Sequence, residues 1–293
     1  MMKKMLLILM LLVSGCVLGQ ECTQTDIQQA YITFSTNEQI TISEAIYSLS
    51  DSKKVKFALG NLMYQPSTKT WKIADEQYDY VGGIYNGPTN DCDLIAGKRY
   101  GTIPGSDNAK NNSKTYTGWL DLFRFDTVQN IRIVTDTITY RVPTEEEFSY
   151  LVYNRTDASK LRGRARIIVN DSTFVNGLML LPDTSVIQFI PHGKTFMSDY
   201  DGCVLFTHNV FTREEWKIIE AQGIVFLPAC AARANSAKYN RSGFYWTSTE
   251  SGSNAATMEF GGYWTGQNNS IPKFYIKAKT ESRGIRLCYE ITQ

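Results

Sequence analysis

Of the side chains that commonly run reactions, this chain holds two histidines, His192 and His208, and six cysteines, Cys16, Cys22, Cys92, Cys203, Cys230 and Cys288. The cysteines form no Cys-x-x-Cys pair, and with two histidines they give no zinc-ligand spacing. Neither histidine accompanies a strand-to-helix serine elbow, so a nucleophilic triad has no support. As paired carboxylates one would consider Glu145, Glu146, Glu147, Glu214, Glu215 and Glu250. The first five stand at helix starts, where glutamates act as caps and solvated charges. Glu250 is read as the acid embedded in the aromatic-rich C-terminal segment, a loop carboxylate bonded to backbone amides before it is a general acid. Cys230 and Cys288 lie in apolar, strand-like runs, and a thiol needs electropositive surroundings to become a nucleophile. Their nearest arginines, Arg233 and Arg286, are assigned to the opposite face of the sheet. Two buried inert thiols are favoured over a buried pair. The reading is a non-enzyme with no cofactor and no metal.

The residues suited to binding are more numerous. Arg233, Asn235, Lys238, Tyr239, Asn240 and Arg241 form a donor-rich loop. Trp246, Ser248, Thr249, Glu250 and Asn254 follow, then Tyr263, Trp264, Gln267, Asn268 and Asn269. Aromatic area combined with Asn and Ser is the composition of adaptable recognition surfaces, and aromatic faces with amides also suit sugars. The candidate ligand-binding set is Arg233, Asn235, Lys238, Tyr239, Asn240, Glu250, Asn254, Tyr263, Trp264 and Asn268. Trp246 is expected in the core, with Tyr245 as its exposed neighbour.

These residues sit among short apolar runs, Ile224–Leu227, Phe244–Trp246, Ala256–Phe260, Phe274–Ile276 and Ile285–Tyr289, alternating with polar stretches. Such alternation predicts short antiparallel strands joined by exposed loops. Upstream, Val55–Ala74 predicts a hairpin turning at Pro66-Ser67-Thr68-Lys69. Tyr31–Leu49 holds one or two strands, Ile131–Val142 a strand or hairpin, and Gly82–Gly118 a long surface excursion before Trp119–Phe125 docks back. Thr144 with Glu147, and Thr212 with Glu215, are capping boxes that open two helices. Phe148, Leu151 and Val152 give the first a buried face, Trp216 and Ile219 the second, which Gly223 stops. Between them ARIIV, Asn170-Asp171 and STFVNGLMLLP predict a hairpin, and VIQFIP and CVLF further short strands. Two helices far apart in sequence do not make a parallel βαβ fold. The class is α+β, mainly antiparallel β.

The chain begins MMKK, then MLLILMLLV, a basic start and an apolar run too short to span a bilayer, as in an export signal. Val13-Ser14-Gly15-Cys16 resembles a bacterial lipobox, with Cys16 as the lipidated residue; the alternative is ordinary cleavage after Gly19, leaving Gln20 first. The divisions read are 1–19 signal peptide, 20–52 tether and N-terminal strand region, and 53–293 one domain. Loss of Lys3 and Lys4 takes the formal charge from +1 to −1, which gives no electrostatic ground for nucleic acid as partner. Membrane association is expected through the lipid anchor alone, at the outer membrane or cell surface, the alternative being a periplasmic or secreted soluble protein.

Six separated segments then carry a resemblance: GNLMYQPSTKTWKIADEQYDYVG, YTGWLDLF, YRVPTEEEFSYLV, NGLMLLPD, FTREEWKIIEAQGIVFLPA and GFYWTSTESGSNAATMEF. In this order they resemble the C-type-lectin-like paralogous proteins exported by gut and rumen anaerobes, the Fibrobacter succinogenes major paralogous domain type, over roughly Lys53 to Glu290. The resemblance implies a C-type-lectin-like fold related to that of formylglycine-generating enzymes: a twisted antiparallel sheet, two helices and a long irregular loop region. It also implies a C-terminal loop face where a glycan or protein binds. The insertion around Asn86 to Lys114 and the cysteine at Cys230 depart from the family's pattern. The Glu-Pro-Asn or Gln-Pro-Asp and Trp-Asn-Asp tripeptides of calcium-dependent lectins are absent, and Asp183 or the Asp107/Asn108 loop falls short of the six to eight oxygens calcium takes. The function expected is a non-catalytic surface binding protein, an adhesin-like lipoprotein. A structural or accessory subunit of a surface appendage comes second and a glycan-active enzyme third.

Overall fold

The computed structural model describes residues 31–32, 42–65, 70–79, 93–94, 132–135, 138–183, 194–202, 205–229, 240–252, 254–261, 271–278 and 283–291. In chain order the first strands are β1 (Tyr31–Ile32), β2 (Tyr47–Ser48), β3 (Lys54–Gln65), β4 (Thr70–Ile73), β5 (Asp93–Leu94), β6 (Arg132–Thr135) and β7 (Ile138–Arg141). Helix α1 (Glu145–Ser149) runs into a π-helical turn, Tyr150–Asn154. Strands β8 (Arg162–Asn170), β9 (Thr173–Leu180) and β10 (Val210–Thr212) precede helix α2 (Arg213–Glu220). Then come β11 (Val225–Pro228), β12 (Ser242–Ser251), β13 (Asn254–Gly261), β14 (Lys273–Ala278) and β15 (Arg286–Glu290).

The described strands form three sheets. The largest has the order β1-β6-β7-β15-β3-β2, with β4 and β5 also on β3; the second is β10-β8-β9-β11 and the third β12-β13-β14. The pairings are antiparallel except β1 with β6 and β10 with β8, which are parallel. With the two short helices this is the α+β, mainly antiparallel class that the patterning predicts. The β3–β4, β8–β9 and β12–β13 hairpins fall where apolar alternation places them.

Both capping boxes form. Thr144 accepts from the Glu147 N–H while Glu147 accepts from Thr144, and Thr212 and Glu215 repeat the exchange. These close the first-turn donors that a helix leaves open. Phe148, Leu151 and Val152 are fully buried although the α-helix gives way to a π turn between them. Gly223 stops α2 at φ +83°, with Ala45 packed where a side chain would be.

The main core joins all three sheets: Tyr47, Leu49, Val55 and Phe57 meet Leu178, Leu180, Val225 and Leu227, then Tyr245, Met258 and Phe260. It therefore reaches upstream of Lys53. A second cluster packs Trp216 and Ile219 of α2 on Ala165, Ile167, Met179 and Phe226. Among the described residues no helix is long and apolar enough to cross a membrane.

Three expectations need correction. The CVLF run is no strand over its described part: Phe206–His208 is a 3-10 turn that buries Phe206, and the strand comes later, at β10 beside β8. The β8 strand starts at Arg162, so three alternating arginines precede the apolar run. Tyr245, expected at the surface, is fully buried; its hydroxyl donates to the Pro228 carbonyl at 2.9 Å and accepts from Asn61 Nδ2 at 3.2 Å, so its polar end has partners inside. Trp246 is buried as expected. The turn at 66–69, the excursion around Cys92 apart from β5, Trp119–Phe125, VIQFIP and the N-terminal leader with Cys16 lie outside the described residues.

Candidate functional site

The third sheet decides which candidate residues can share a ligand. β12 pairs with β13 from Ser242↔Gly261 at one end to Ser251↔Asn254 at the other, and Lys273 opens β14 opposite Glu259. The chain thus enters β12, leaves β13 and enters β14 at one and the same end. Asn240 stands there, and the segments carrying Arg233, Asn235, Lys238 and Tyr239, and Tyr263, Trp264 and Asn268, join the sheet there. Those seven residues themselves lie outside the described ones. Glu250 and Asn254 occupy the opposite end, on the order of 25 Å along the hairpin. No single sugar or side chain spans both groups.

The shared end is clamped to the β8–β9 hairpin. β11 pairs with β9 as far as Gly177, the Ala229 N–H still reaches the Asn176 carbonyl at 2.7 Å, and beyond that a side chain continues the ladder. Asn240 Oδ1 accepts from the Asn176 N–H at 2.6 Å and Nδ2 donates to the Phe174 carbonyl at 2.9 Å. The amide thus takes the place that a peptide group of a further strand residue would fill. In return Asn176 Nδ2 donates to the Asn240 carbonyl at 2.7 Å. Asn240 adopts φ +51°, a left-handed conformation that Asn tolerates better than other side chains. A candidate ligand contact therefore has both ends of its amide engaged within the protein.

A second clamp comes from Arg164, whose Nε donates to the Gly261 carbonyl at 2.8 Å. Its Nη1 meets Asp199 at 2.5 Å, and Arg162 holds the other oxygen of that carboxylate at 2.7 Å. All three side chains are buried, which makes this an ion triad that fixes where β13 ends. Beneath the sheet Arg283 lies over Phe244 and Trp246, 4.8 and 5.5 Å from their centroids, and pairs with Glu259 at 3.3 Å. Glu259 is thus a second acid of the aromatic segment, beside Glu250. Deeper still, Arg286 donates to Asn61 Oδ1, the Ala58 carbonyl, Gln77 Oε1 and the Phe226 carbonyl, tying β3 to β11 and β15.

At the surface edge of this clamp, Arg166 and Phe174 share one face of the β8–β9 hairpin with Asn176. The Arg166 guanidinium carbon stands 3.9 Å from the Phe174 ring centroid and Nε donates to Asn176 Oδ1 at 2.9 Å.

Several of the described groups that could carry chemistry are committed elsewhere. Burial pushes the Cys288 thiol up to about 12; the lowering pull of Arg141 is opposed by Glu147 and Glu290. The thiol is unpaired and buried, an inert cysteine. Arg286, two residues away, would share its face in a regular strand, but a bulge intervenes and the arginine acting on the thiol is Arg141. Cys230 lies outside the described residues. Glu147 and Glu215 are caps, as expected, but buried ones rather than solvated: Arg141 grips Glu147 with both Nη atoms and Lys194 spans both oxygens of Glu215. Burial alone would raise the Glu147 carboxyl, yet Arg141 and Lys53 hold it below its ordinary range. An open cleft of about 380 Å³ is lined by Lys194, Thr195, Thr207, His208, Asn209, Val210 and Phe211. Among the described residues no carboxylate lines it, its lysine is bound to Glu215, and its His208 keeps a buried Nδ1 without a hydrogen-bond partner. Among the described residues no group of three or more His, Cys, Asp and Glu could hold a metal ion.

The residue patterning did not single out Arg164, Arg166, Asp199 or Arg283, and it weighed Arg286 only as a neighbour of Cys288. One signal was present: RGRAR puts Arg162, Arg164 and Arg166 on one face of a strand, a pattern at odds with a plain apolar core. Comparison with protein-family models, with curated proteins and with solved structures gave no match.

Proposed function

We propose that the chain is an exported, lipid-anchored binding protein of C-type-lectin-like architecture, non-catalytic, that recognises a glycan or protein ligand at the cell surface. Its ligand meets the end of the β12–β13–β14 sheet where Asn240 and Gly261 stand, with the loop aromatics Tyr239, Tyr263 and Trp264 as contacts. One observation carries this reading. The polar, aromatic segments on either side of Asn240 and Gly261 spring from a single sheet end that Asn240 and Arg164 lock to a second hairpin. A rigid base beneath variable-length loops is how scaffolds present recognition surfaces. Asn240 on this reading positions the loop and does not touch the ligand, and Glu250 and Asn254 leave the contact set.

The test is a glycan-array and thermal-shift screen of the purified chain, with calcium and with chelator, repeated on Tyr239→Ala and Trp264→Ala. Saturable binding lost in both folded variants supports the reading; binding that survives both places the site elsewhere.

A second reading, an accessory subunit of a surface assembly, draws on β14. Among the described strands it pairs only with β13, and Tyr275 and Ile276 on it are exposed at 40% and 48%. An open edge with apolar side chains is a template for another strand. Concentration-dependent self-association abolished by Ile276→Lys would favour it.

A further inference from the structure

We infer that Arg166, stacked on Phe174 at the clamped sheet end, is a subsite for the carboxylate of an acidic sugar, a uronate residue of a glycan. This deepens the reading above and rests on it.

The pair is built to present a charge. β8–β9 pairing sets Arg166 across from Asn176 and Phe174 across from Ile168, all on one face, while the opposite face packs Ala165, Ile167 and Val175 into the α2 cluster. Nε is fixed by Asn176 Oδ1, and Asn176 is itself fixed by Asn240, so the guanidinium plane is oriented from two sides. The Phe174 ring, 39% exposed, supports the guanidinium at 3.9 Å. Among the described residues no acceptor takes Nη1 or Nη2 and no carboxylate pairs with the group; neither atom is sealed from solvent. Desolvation, with no counter-charge, lowers the Arg166 pKa, which marks a cation held partly out of water without its anion. The other clamp arginines contrast with it: Arg162 and Arg164 share Asp199.

Two parallel N–H groups at the end of a fixed guanidinium match the two oxygens of a carboxylate, a match lysine cannot reproduce. The amides of Asn176 and Asn240 are already used, so the subsite offers a fork and an aromatic face and little else. A uronate pyranose brings both complements at a fixed spacing, a ring-borne carboxylate and a flat C–H face. An acidic peptide side chain carries its carboxylate on a rotatable stem and loses more freedom on docking.

The experiment titrates the purified chain with tri-galacturonate, tri-glucuronate, their methyl esters and a Glu-containing tripeptide by calorimetry. It uses wild type, Arg166→Gln, Arg166→Lys and Phe174→Ala, each first shown by thermal unfolding to be folded. Expected are binding of a uronate, at least tenfold weaker binding of its ester, and a loss of about tenfold to a hundredfold in Arg166→Gln, the range of a charge-assisted hydrogen-bonded pair. Arg166→Lys recovers a minor part and Phe174→Ala weakens binding severalfold. Uronate affinity unchanged in Arg166→Gln, or tighter binding of the peptide than of any uronate, overturns the inference. Neutral glycans bound through Trp264 with no response to Arg166 overturn it too, while leaving the binding reading standing; silence to every glycan overturns the inference and leaves the binding reading with a protein ligand alone.

Discussion

Replacing Asn240 tests the clamp on which the functional reading depends. Asn240→Ala removes the acceptor of the Asn176 N–H and the donor to the Phe174 carbonyl, two hydrogen bonds at 2.6 and 2.9 Å. At about 1 kcal/mol each these contribute about 2 kcal/mol. Alanine must also hold φ +51°, which adds about 1 kcal/mol that asparagine largely avoids. The expected loss is therefore about 3 kcal/mol for Asn240→Ala. Asn240→Gly, free of backbone strain, loses about 2 kcal/mol. For a domain of this size that is a fall in Tm of roughly 6–12 °C for alanine and a smaller one for glycine. Thermal unfolding followed by circular dichroism, with urea titration as a check on two-state behaviour, measures both. If the two variants lie within about 0.5 kcal/mol of wild type, the amide is no structural surrogate for a strand. Asn240 would then be free to act as a ligand contact.

Glu147 has a folded-state pKa held down by its arginine and lysine, so its contribution is present above the ordinary glutamate range and is lost as pH falls through the lowered value. Wild type is expected to lose stability below about pH 5 more steeply than Glu147→Gln, which is itself about 3 kcal/mol weaker at neutral pH for stranding Arg141; equal acid slopes would refute the assignment. Cys288, with its thiol pushed up to about 12, should resist iodoacetamide at neutral pH in the native protein and react at once in denaturant. Native-state labelling of Cys288 at the rate of a free thiol, read by peptide mass, counts against that. Arg286→Leu removes a donor from the Ala58 and Phe226 carbonyls and from Asn61 Oδ1, while Gln77 Oε1 keeps the Phe226 N–H, and a loss of about 3–5 kcal/mol in urea unfolding is expected. A change under 1 kcal/mol would show that water or a neighbour replaces it.

What the sequence made legible were features with a local cause. Thr144 and Glu147, or Thr212 and Glu215, are three residues apart, and their capping boxes need nothing from elsewhere in the chain. Hairpins such as β8–β9 and β12–β13 join neighbours and announce themselves by alternation. What stayed hidden depends on distant partners. Tyr245 looked like a surface tyrosine because its hydrogen-bond partners, the Asn61 amide that donates to it and the Pro228 carbonyl that accepts from it, come from other strands. Arg286 takes its partners from three remote segments, and β10 is a strand only because β8 lies alongside it. The candidate contacts were gathered by composition, which carries no register; pairing Ser242 with Gly261 separated Glu250 and Asn254 from Asn240.

The place of β15 between β7 and β3 bears on how the protein comes into being. The middle of the largest sheet is the segment a ribosome delivers last of the described elements, and its Arg286 reaches back to Asn61 and Ala58. Until that segment emerges, β3 and β7 lack the neighbour that joins them, and hydrophobic strands wait with unfilled edges. A sheet closed by its last described strand pairs through non-local contacts, which form slowly.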